Sequence, residues 1–322
     1  MAAAGQRISV LMPTYNGGRF IAAQIESILS QTLADIDLLI CDDGSGDDTL
    51  SIVEDFARAD RRVSILPSSG NRGQRFRLSC LVDATSEPLV AFADQDDVWD
   101  EGKLERLRDA LGDRSMAFGS SHLIGENGHA LGSTIADRTG HPPRDGDRLA
   151  YLFRPYASAH AALVRRDAVT AMAFHRLAHF DWLMSLDAAF RSGIVFVPEA
   201  VVRHRMHGHN QANAGFASAD GWWSPFHPVA IYGALQRKRM RRFTFASAVE
   251  HLAFSPSLPP AAQRDFGRIG ALCRGAWFDP GISRPFANAR LARSLLALLE
   301  PHAGSEGDLD AARRQLAALT RI

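Results

Sequence analysis

Cysteine is scarce: Cys41, Cys80 and Cys273 are the only three in 322 residues, widely spaced and without a C-x-x-C pair. That excludes a disulfide framework, a paired-cysteine zinc site and a dithiol redox centre, and leaves the thiols as small buried hydrophobes. Long apolar runs are missing too. Nothing approaches the roughly 18 uninterrupted apolar residues of a spanning helix, and the opening Met-Ala-Ala-Ala-Gly-Gln-Arg has no apolar centre for a secretory leader. A cytoplasmic location is the expectation. Net charge is also absent, with 36 Lys and Arg against 36 Asp and Glu. Base-stacking modules and a continuous basic face are lacking, so nucleic acid is not an expected partner.

The charge is nevertheless uneven. Residues 1–114 hold 20 acids against 12 Lys and Arg, and residues 115–322 hold 16 against 24. An acidic front half that meets a diphosphate needs a metal ion; a basic rear half reads equally as a polyanion-facing surface or as solvated helix faces. Along the front half, short β-rich runs alternate with helical spacing. Ile8 to Met12 is a strand, followed by a turn at Asn16-Gly17-Gly18 and then Ile21, Ile25, Ile28 and Leu29 on one helix face. Strands at Leu38–Cys41, Val63–Leu66 and Leu89–Ala93 repeat the unit, with helices between them. Such β/α alternation predicts a mostly parallel, doubly wound α/β sheet flanked by helices, whose ligands sit beyond the carboxyl ends of the strands. Later strands are expected at Met116–Phe118, His160–Val164 and Ile194–Val197, with a helix from about Asp181 to Arg191. Beyond residue 212 strand signals end. The expected organisation is therefore one large α/β domain over 1–212 and a helical extension over 213–322.

Three loops lie at strand ends: Pro13-Thr14-Tyr15-Asn16, Asp42-Asp43-Gly44-Ser45 and Asp94-Gln95-Asp96-Asp97. The last places acids at i and i+2 of an extended exit, where Asp94 and Asp96 share a side and suit one hard divalent ion, Mg²⁺ or Mn²⁺, that keeps ligand positions for water and a substrate phosphate. Gly44-Ser45-Gly46 looks like the start of a dinucleotide fingerprint, but the third glycine is missing and Asp47 and Asp48 would repel a pyrophosphate at that helix start. Either acid suits a helix cap. Asp42 instead suits acceptance of a ring N–H, which uracil, thymine and guanine offer and cytosine does not. His122, His129, His141 and His160 fall into no pattern.

Pro13-Thr14-Tyr15-Asn16-Gly17, Asp42-Asp43-Gly44-Ser45, Gly70-Asn71-Arg72-Gly73 and Ala93-Asp94-Gln95-Asp96-Asp97-Val98-Trp99, in this order, resemble the family 2 glycosyltransferases of GT-A fold, in particular their bacterial rhamnosyltransferase-like branch. The resemblance covers about residues 6–212. It implies inverting transfer of a sugar from a nucleoside diphosphate sugar, with Pro13, Thr14, Tyr15, Asn16, Asp42, Arg72, Gly73, Asp94 and Gln95 on the donor and a divalent ion on its diphosphate. His179-Phe180-Asp181-Trp182 is similar to the family's His-Asp-Trp stretch, although Phe180 intervenes, and implies Asp181 as general base; as a residue alone, Asp181 reads equally as a helix N-cap. His204-Arg205-Met206-His207-Gly208-His209-Asn210 is similar to the family's Tyr-Arg-x-His-x-x-Asn segment, with His204 in place of Tyr. That match implies Arg205 on phosphate and His207 on metal or phosphate, joining Asp96 and Asp94 as metal candidates.

The chemistry is coherent: inversion needs an acceptor hydroxyl made nucleophilic on one face of the sugar and a diphosphate neutralised on the other. The expected donor is dTDP-rhamnose or a UDP-sugar, and the expected acceptor a saccharide or lipid-linked saccharide of the cell surface. A catalytically silent nucleotide-sugar or saccharide-binding module is the alternative. Arg237-Lys238-Arg239-Met240-Arg241-Arg242, with Trp222, Trp223, Tyr232, Phe243 and Phe245 around it, has the composition of a segment that rests on an anionic membrane surface, and equally that of a solvated helix face.

Overall fold

The structure, a computed structural model, describes residues 7–139, 142–154, 156–169, 180–207, 242, 245–256, 258–277 and 285–320. Chain contacts divide it into two units: Met1–Gly146 with Pro155–Arg205, and Asp147–Arg154 with Met206–Ile322.

The first unit is built on β1 (Ile8–Thr14), whose seven residues are all buried. It pairs in parallel with β2 (Ile36–Asp42) on one side and β4 (Leu89–Phe92) on the other, and β2 pairs in parallel with β3 (Val63–Ile65). Strands buried on both faces read as continuous apolar runs rather than alternations, which is why they were legible. The crossovers are α1 (Ile21–Leu29), α2 (Thr49–Ala59) and α3 (Gln74–Ala84). Ile21, Ile25 and Ile28 of α1 are fully buried in the core with Val10 and Met12, each burial being favourable by about 1.5–3 kcal/mol. The two buried hydroxyls of β1 are matched, Ser9 by Thr85 at 2.6 Å and Thr14 by Asp42 at 2.8 Å.

The parallel pattern stops at β4. Short β5 (Val98–Trp99), α4 (Lys103–Leu111), β6 (Met116–Gly125), β7 (Ala130–Thr134), α5 (Ile135–Thr139), β8 (Ala162–Arg165), α6 (Phe180–Arg191) and β9 (Ile194–Met206) follow. The sheet runs β3-β2-β1-β4-β8-β6-β9-β5, with β7 beside β6. The pairs β4–β8, β6–β8, β6–β7 and β5–β9 are antiparallel, so the sheet is mixed. β7 escaped the sequence because its residues are exposed or half-buried and interrupted by Gly132, and β5 because it is two residues long. His160, expected in a strand, lies in the 3-10 turn Ala159–Ala161 that precedes β8.

The second unit is helical among its described residues: 245–254, Pro260–Trp277, Pro285–Leu299 and Glu306–Thr320, with the short turn Leu149–Leu152. Asp308, fully buried, accepts the backbone N–H of Arg148, Leu149 and Gly304 at 3.0 Å and of Ala150 at 3.3 Å. Its carboxylate thus satisfies the orphan donors of that turn's N-terminus. No helix among the described residues is long and apolar enough to cross a membrane. Of the basic, aromatic-flanked segment, Trp222, Trp223, Tyr232, Arg237 to Arg241 and Phe243 lie outside the described residues.

Candidate functional site

The ends of β1, β2 and β4 bring the three loops together. Gln95 pairs with the backbone of Tyr15 in both directions, Tyr15 N–H donating to Oε1 at 2.8 Å and Nε2 donating to the Tyr15 carbonyl at 2.9 Å. Asn16, held at a φ of 47°, donates its N–H to Ser45 Oγ at 2.9 Å, and its side-chain oxygen accepts Gly46 N–H at 2.9 Å. A Cβ at Gly17 would stand 2.4 Å from the Gln95 amide, so a larger residue there would displace that side chain. Gly17→Ala is accordingly expected to unseat Gln95 and to destabilise the fold by about 1–3 kcal/mol, read as a lower urea midpoint. Gln95→Ala should restore part of it. Tyr15 remains 48% exposed, an aromatic face at the rim of the loops.

Asp42 was read from the sequence as an acceptor for a base N–H. Its carboxylate organises its own loop: Oδ1 accepts Thr14 Oγ1 at 2.8 Å and Ser45 Oγ at 2.6 Å, and Oδ2 accepts Gly44 and Ser45 N–H at 2.9 and 2.8 Å. Those four bonds fill a carboxylate's acceptor capacity. Asp43 does the same for the Gly70–Gly73 segment, accepting Arg72 and Gly73 N–H at 2.8 Å and Arg77 Nε at 2.7 Å. Burial by itself would raise its carboxyl, but those donors outweigh it and hold it below the usual range. Arg72 and Gly73 are therefore placed through their backbone, with the Arg72 guanidinium over the Phe76 ring. Of the two helix-cap candidates, Asp48 occupies the N-cap position of α2 without a side-chain cap bond, and Asp47 before it accepts Thr49 N–H at 3.1 Å and Gly18 N–H at 3.0 Å.

The acidic loop meets two histidines through strand register. β4 pairs Ala91 with Leu163, so three residues further on Asp94 stands opposite His160; β5 pairs Val98 with Arg203, so one residue earlier Asp97 stands opposite His204. Ligand atoms of Asp94, Asp97, His160 and His204 lie within 4.8 Å of one another. Asp97, fully buried, accepts His204 Nδ1 at 2.9 Å and Arg205 N–H at 3.0 Å. Its other oxygen has no partner among the described residues. His160 lies with Nδ1 3.6 Å from Asp94 and Nε2 3.0 Å from Ser121 Oγ, and its ring stacks on His204 with centroids 4.6 Å apart.

Electrostatics sort these groups. Desolvation and the Asp97 and Asp96 charges push Asp94 well above the usual carboxylate range. Burial would lower His204, but the charge and hydrogen bond of Asp97 outweigh it and raise the ring to about 9. His160 is lowered to about 3 by burial and then by the neighbouring His204 charge. The two rings therefore impose opposite slopes on stability. His204 stabilises fully below its unfolded value near 6.5 and loses that contribution as pH rises through about 9; His160 costs stability as pH falls below about 6.5. In EDTA, the urea midpoint is expected to peak near pH 6.5, and His204→Phe should flatten the alkaline side. An unchanged alkaline slope in that variant would refute the assignment.

An unpartnered buried carboxylate oxygen and a carboxyl raised by like charges describe a donor set short of a cation. The residues fit a divalent ion. The sequence paired Asp94 with Asp96 and His207. Asp96 is half-buried and is not among the four groups, and His207, just past β9, belongs by its contacts to the second unit. Arg205, assigned to phosphate, directs Nε to the Asp96 carbonyl at 2.9 Å and Nη1 to the Glu126 carbonyl at 2.8 Å, with its guanidinium over Phe20. It thereby holds the acidic loop against β6. Asp97, His160 and His204 are the residues without an assigned role in the sequence, and strand register is the signal that finds them.

Asp181 stands in the first turn of α6, which Phe180 anchors by an edge-on contact with Phe92 at the end of β4, centroids 5.6 Å apart. Its Oδ2 leaves its own helix to accept Ala159 N–H at 3.2 Å, beside His160, and its charge contributes to raising Asp94. His179, Gly208, His209 and Asn210 lie outside the described residues.

Residues 9–172, just over half the chain, match the model of glycosyl transferase family 2. The UDP-Glc:alpha-D-GlcNAc-diphosphoundecaprenol beta-1,3-glucosyltransferase WfgD of Escherichia coli is 34% identical over 122 residues, 37% of this chain and 47% of that protein. The dTDP-rhamnosyl transferase RfbG of Shigella flexneri is 38% identical over 118 residues, 35% of this chain and 41% of that protein. The chain thus spans about half the length of the curated relatives it matches. Among solved structures, S. aureus TarS 1-349 in complex with UDP-GlcNAc is similar at a TM-score of 0.55 with 13% identity, over 98% of this chain and 89% of that one. The mannosyltransferase PcManGT of Pyrobaculum calidifontis, in complex with GDP-Man and Mn2+, is similar at a TM-score of 0.51 with 17% identity, over 98% of this chain and 88% of that one. These likenesses carry the fold, and the family match carries the membership. With the strand-end loops and the acidic turn of the expected kind, the chain belongs to glycosyl transferase family 2 and has the GT-A fold.

Proposed function

We propose that this chain transfers a sugar, with inversion, from a nucleoside diphosphate sugar to a hydroxyl of a saccharide or lipid-linked acceptor used in cell-surface polymers. The observation that carries this reading is the convergence of Asp181 with the acidic turn: its carboxylate is tied to Ala159, next to His160, and its charge is felt at Asp94. A base for the acceptor hydroxyl and a place for the departing diphosphate thus occupy one site. Asp94, Asp97, His160 and His204 would hold a divalent ion, with Asp96 and His207 as further candidates from the family pattern. When bound, that ion supplies positive charge to the leaving diphosphate. The chain's own residues supply the rest: Gln95, Asn16 and Asp42 fix the loops around the base and ribose, the exposed Tyr15 offers a stacking face, and Asp181 takes the proton of the acceptor hydroxyl.

WfgD and RfbG carry UDP-glucose and dTDP-rhamnose in their names, and this chain's similarity to both supports a pyrimidine diphosphate sugar as donor. Attachment to an anionic membrane surface through residues 237–242 fits a lipid-linked acceptor. Thermal denaturation against UDP-glucose, dTDP-rhamnose and GDP-mannose, with and without Mn²⁺, tests the donor. The true donor is expected to add about 2.7 kcal/mol of stability at a hundredfold excess over its Kd, and only with the ion present. Equal shifts with all three donors, or shifts indifferent to Mn²⁺, would overturn the reading.

A further inference from the structure

Lys103 is the first residue of α4 and is fully buried, an unusual place for a lysine on two counts. Burial strips its amine of water, and a charged one at a helix N-terminus would oppose the helix dipole. Its Nζ donates to the carbonyl of His160 and lies 3.2 Å from the centroid of the Trp99 ring. Where a sequence breaks two local rules at one position, a functional reason is the first place to look. The reason is visible in what the His160 carbonyl belongs to. The turn Ala159–Ala161 presents Ala159 N–H to Asp181 Oδ2 at 3.2 Å, while the His160 ring reaches Ser121 at 3.0 Å and stacks on His204. One short turn therefore touches the carboxylate assigned to the acceptor and the side chains assigned to the ion, and Lys103 is bonded to its backbone.

We propose that Lys103 is a positioning residue: by holding the His160 carbonyl it sets the Ala159–Ala161 turn, and through Ala159 N–H it aims the Asp181 carboxylate at the acceptor hydroxyl. The proposal rests on the reading of Asp181 as the base. A lysine that merely filled space would be replaceable by methionine, which keeps the length and apolar stem and loses only the donor.

The test is a double-mutant cycle of Lys103→Met and Asp181→Asn in the full chain. Release of UDP from UDP-glucose or dTDP from dTDP-rhamnose with a saccharide acceptor gives kcat, and calorimetry with UDP or dTDP in Mn²⁺ gives donor-site affinity. Lys103→Met is expected to lower kcat by about 10- to 100-fold with nucleotide affinity changed less than about threefold, and to have almost no further effect once Asp181 is Asn. An unchanged kcat, a loss shared equally by nucleotide affinity, or losses that multiply in the double variant would overturn it. If Lys103→Met does not fold, Lys103→Leu, which also lacks the donor, is read by the same criteria. Wild-type turnover in Asp181→Asn alone would overturn the base assignment, and the role of Lys103 with it. A kcat unaffected by Lys103→Met beside a dead Asp181→Asn would overturn only the role of Lys103.

Discussion

Asp181→Asn is expected to lower transfer by about 10²–10⁴-fold while UDP or dTDP still binds with wild-type affinity. Asparagine keeps the shape of the side chain and an oxygen to accept Ala159 N–H, so the bond that ties α6 to the turn before β8 survives. What disappears is basicity. The acceptor hydroxyl then keeps its proton as it attacks, and the barrier rises by the part of the transition-state stabilisation that proton removal supplied. The measurement is initial velocity at saturating donor beside calorimetric nucleotide binding and a melting curve. A variant that transfers normally but melts earlier would reduce Asp181 to a structural tie. The sequence alone left both roles open, because an acid at the start of a helix is as good a cap as it is a base. The structure shows its Oδ2 reaching out of its own helix to Ala159 N–H, a tie compatible with either role.

The legible part of this protein is the part written in local patterns. β1, β2 and β4 are apolar runs because both their faces are covered, and the loops after them carry turn residues in short, recognisable strings. What local patterns cannot carry is antiparallel pairing across long separations. Asp94 meets His160, and Asp97 meets His204, only because β4 lies against β8 and β5 against β9. β5, two residues long, gives no periodicity to find. The same blindness explains Asp42, whose motif announced an acid at a site but not that Thr14, Gly44 and Ser45 would use up its oxygens. Lys103 is the extreme case. In the sequence it is one more charged residue at a helix start, and only tertiary packing makes it a buried amine bonded to the turn before β8.

Asp94→Asn should move stability and function in opposite directions. In the metal-free protein Asp94 is a liability, pushed well above its usual range by desolvation and by repulsion from Asp97 and Asp96. Asparagine removes that repulsion, so in EDTA the variant is expected to melt no lower than wild type, and higher above neutral pH, where wild-type Asp94 is most ionised. In Mn²⁺ the order reverses. Wild type gains the binding free energy of the ion, whereas the variant, short of one anionic ligand among Asp94, Asp97, His160 and His204, gains little. Turnover should fall by at least about 10³-fold, the equivalent of roughly 4 kcal/mol of lost charge stabilisation at the departing diphosphate. Melting curves with and without Mn²⁺, beside Mn²⁺ titration followed by electron paramagnetic resonance, read both halves of this result. Asp96→Asn in the same experiment separates the two descriptions of the site. A loss of Mn²⁺ affinity at Asp96 as large as at Asp94 would mean that the i and i+2 pair chelates the ion, as the sequence suggested. A loss confined to Asp94, Asp97 and the two histidines would mean that strand register, rather than the spacing of the motif, selects the ligands.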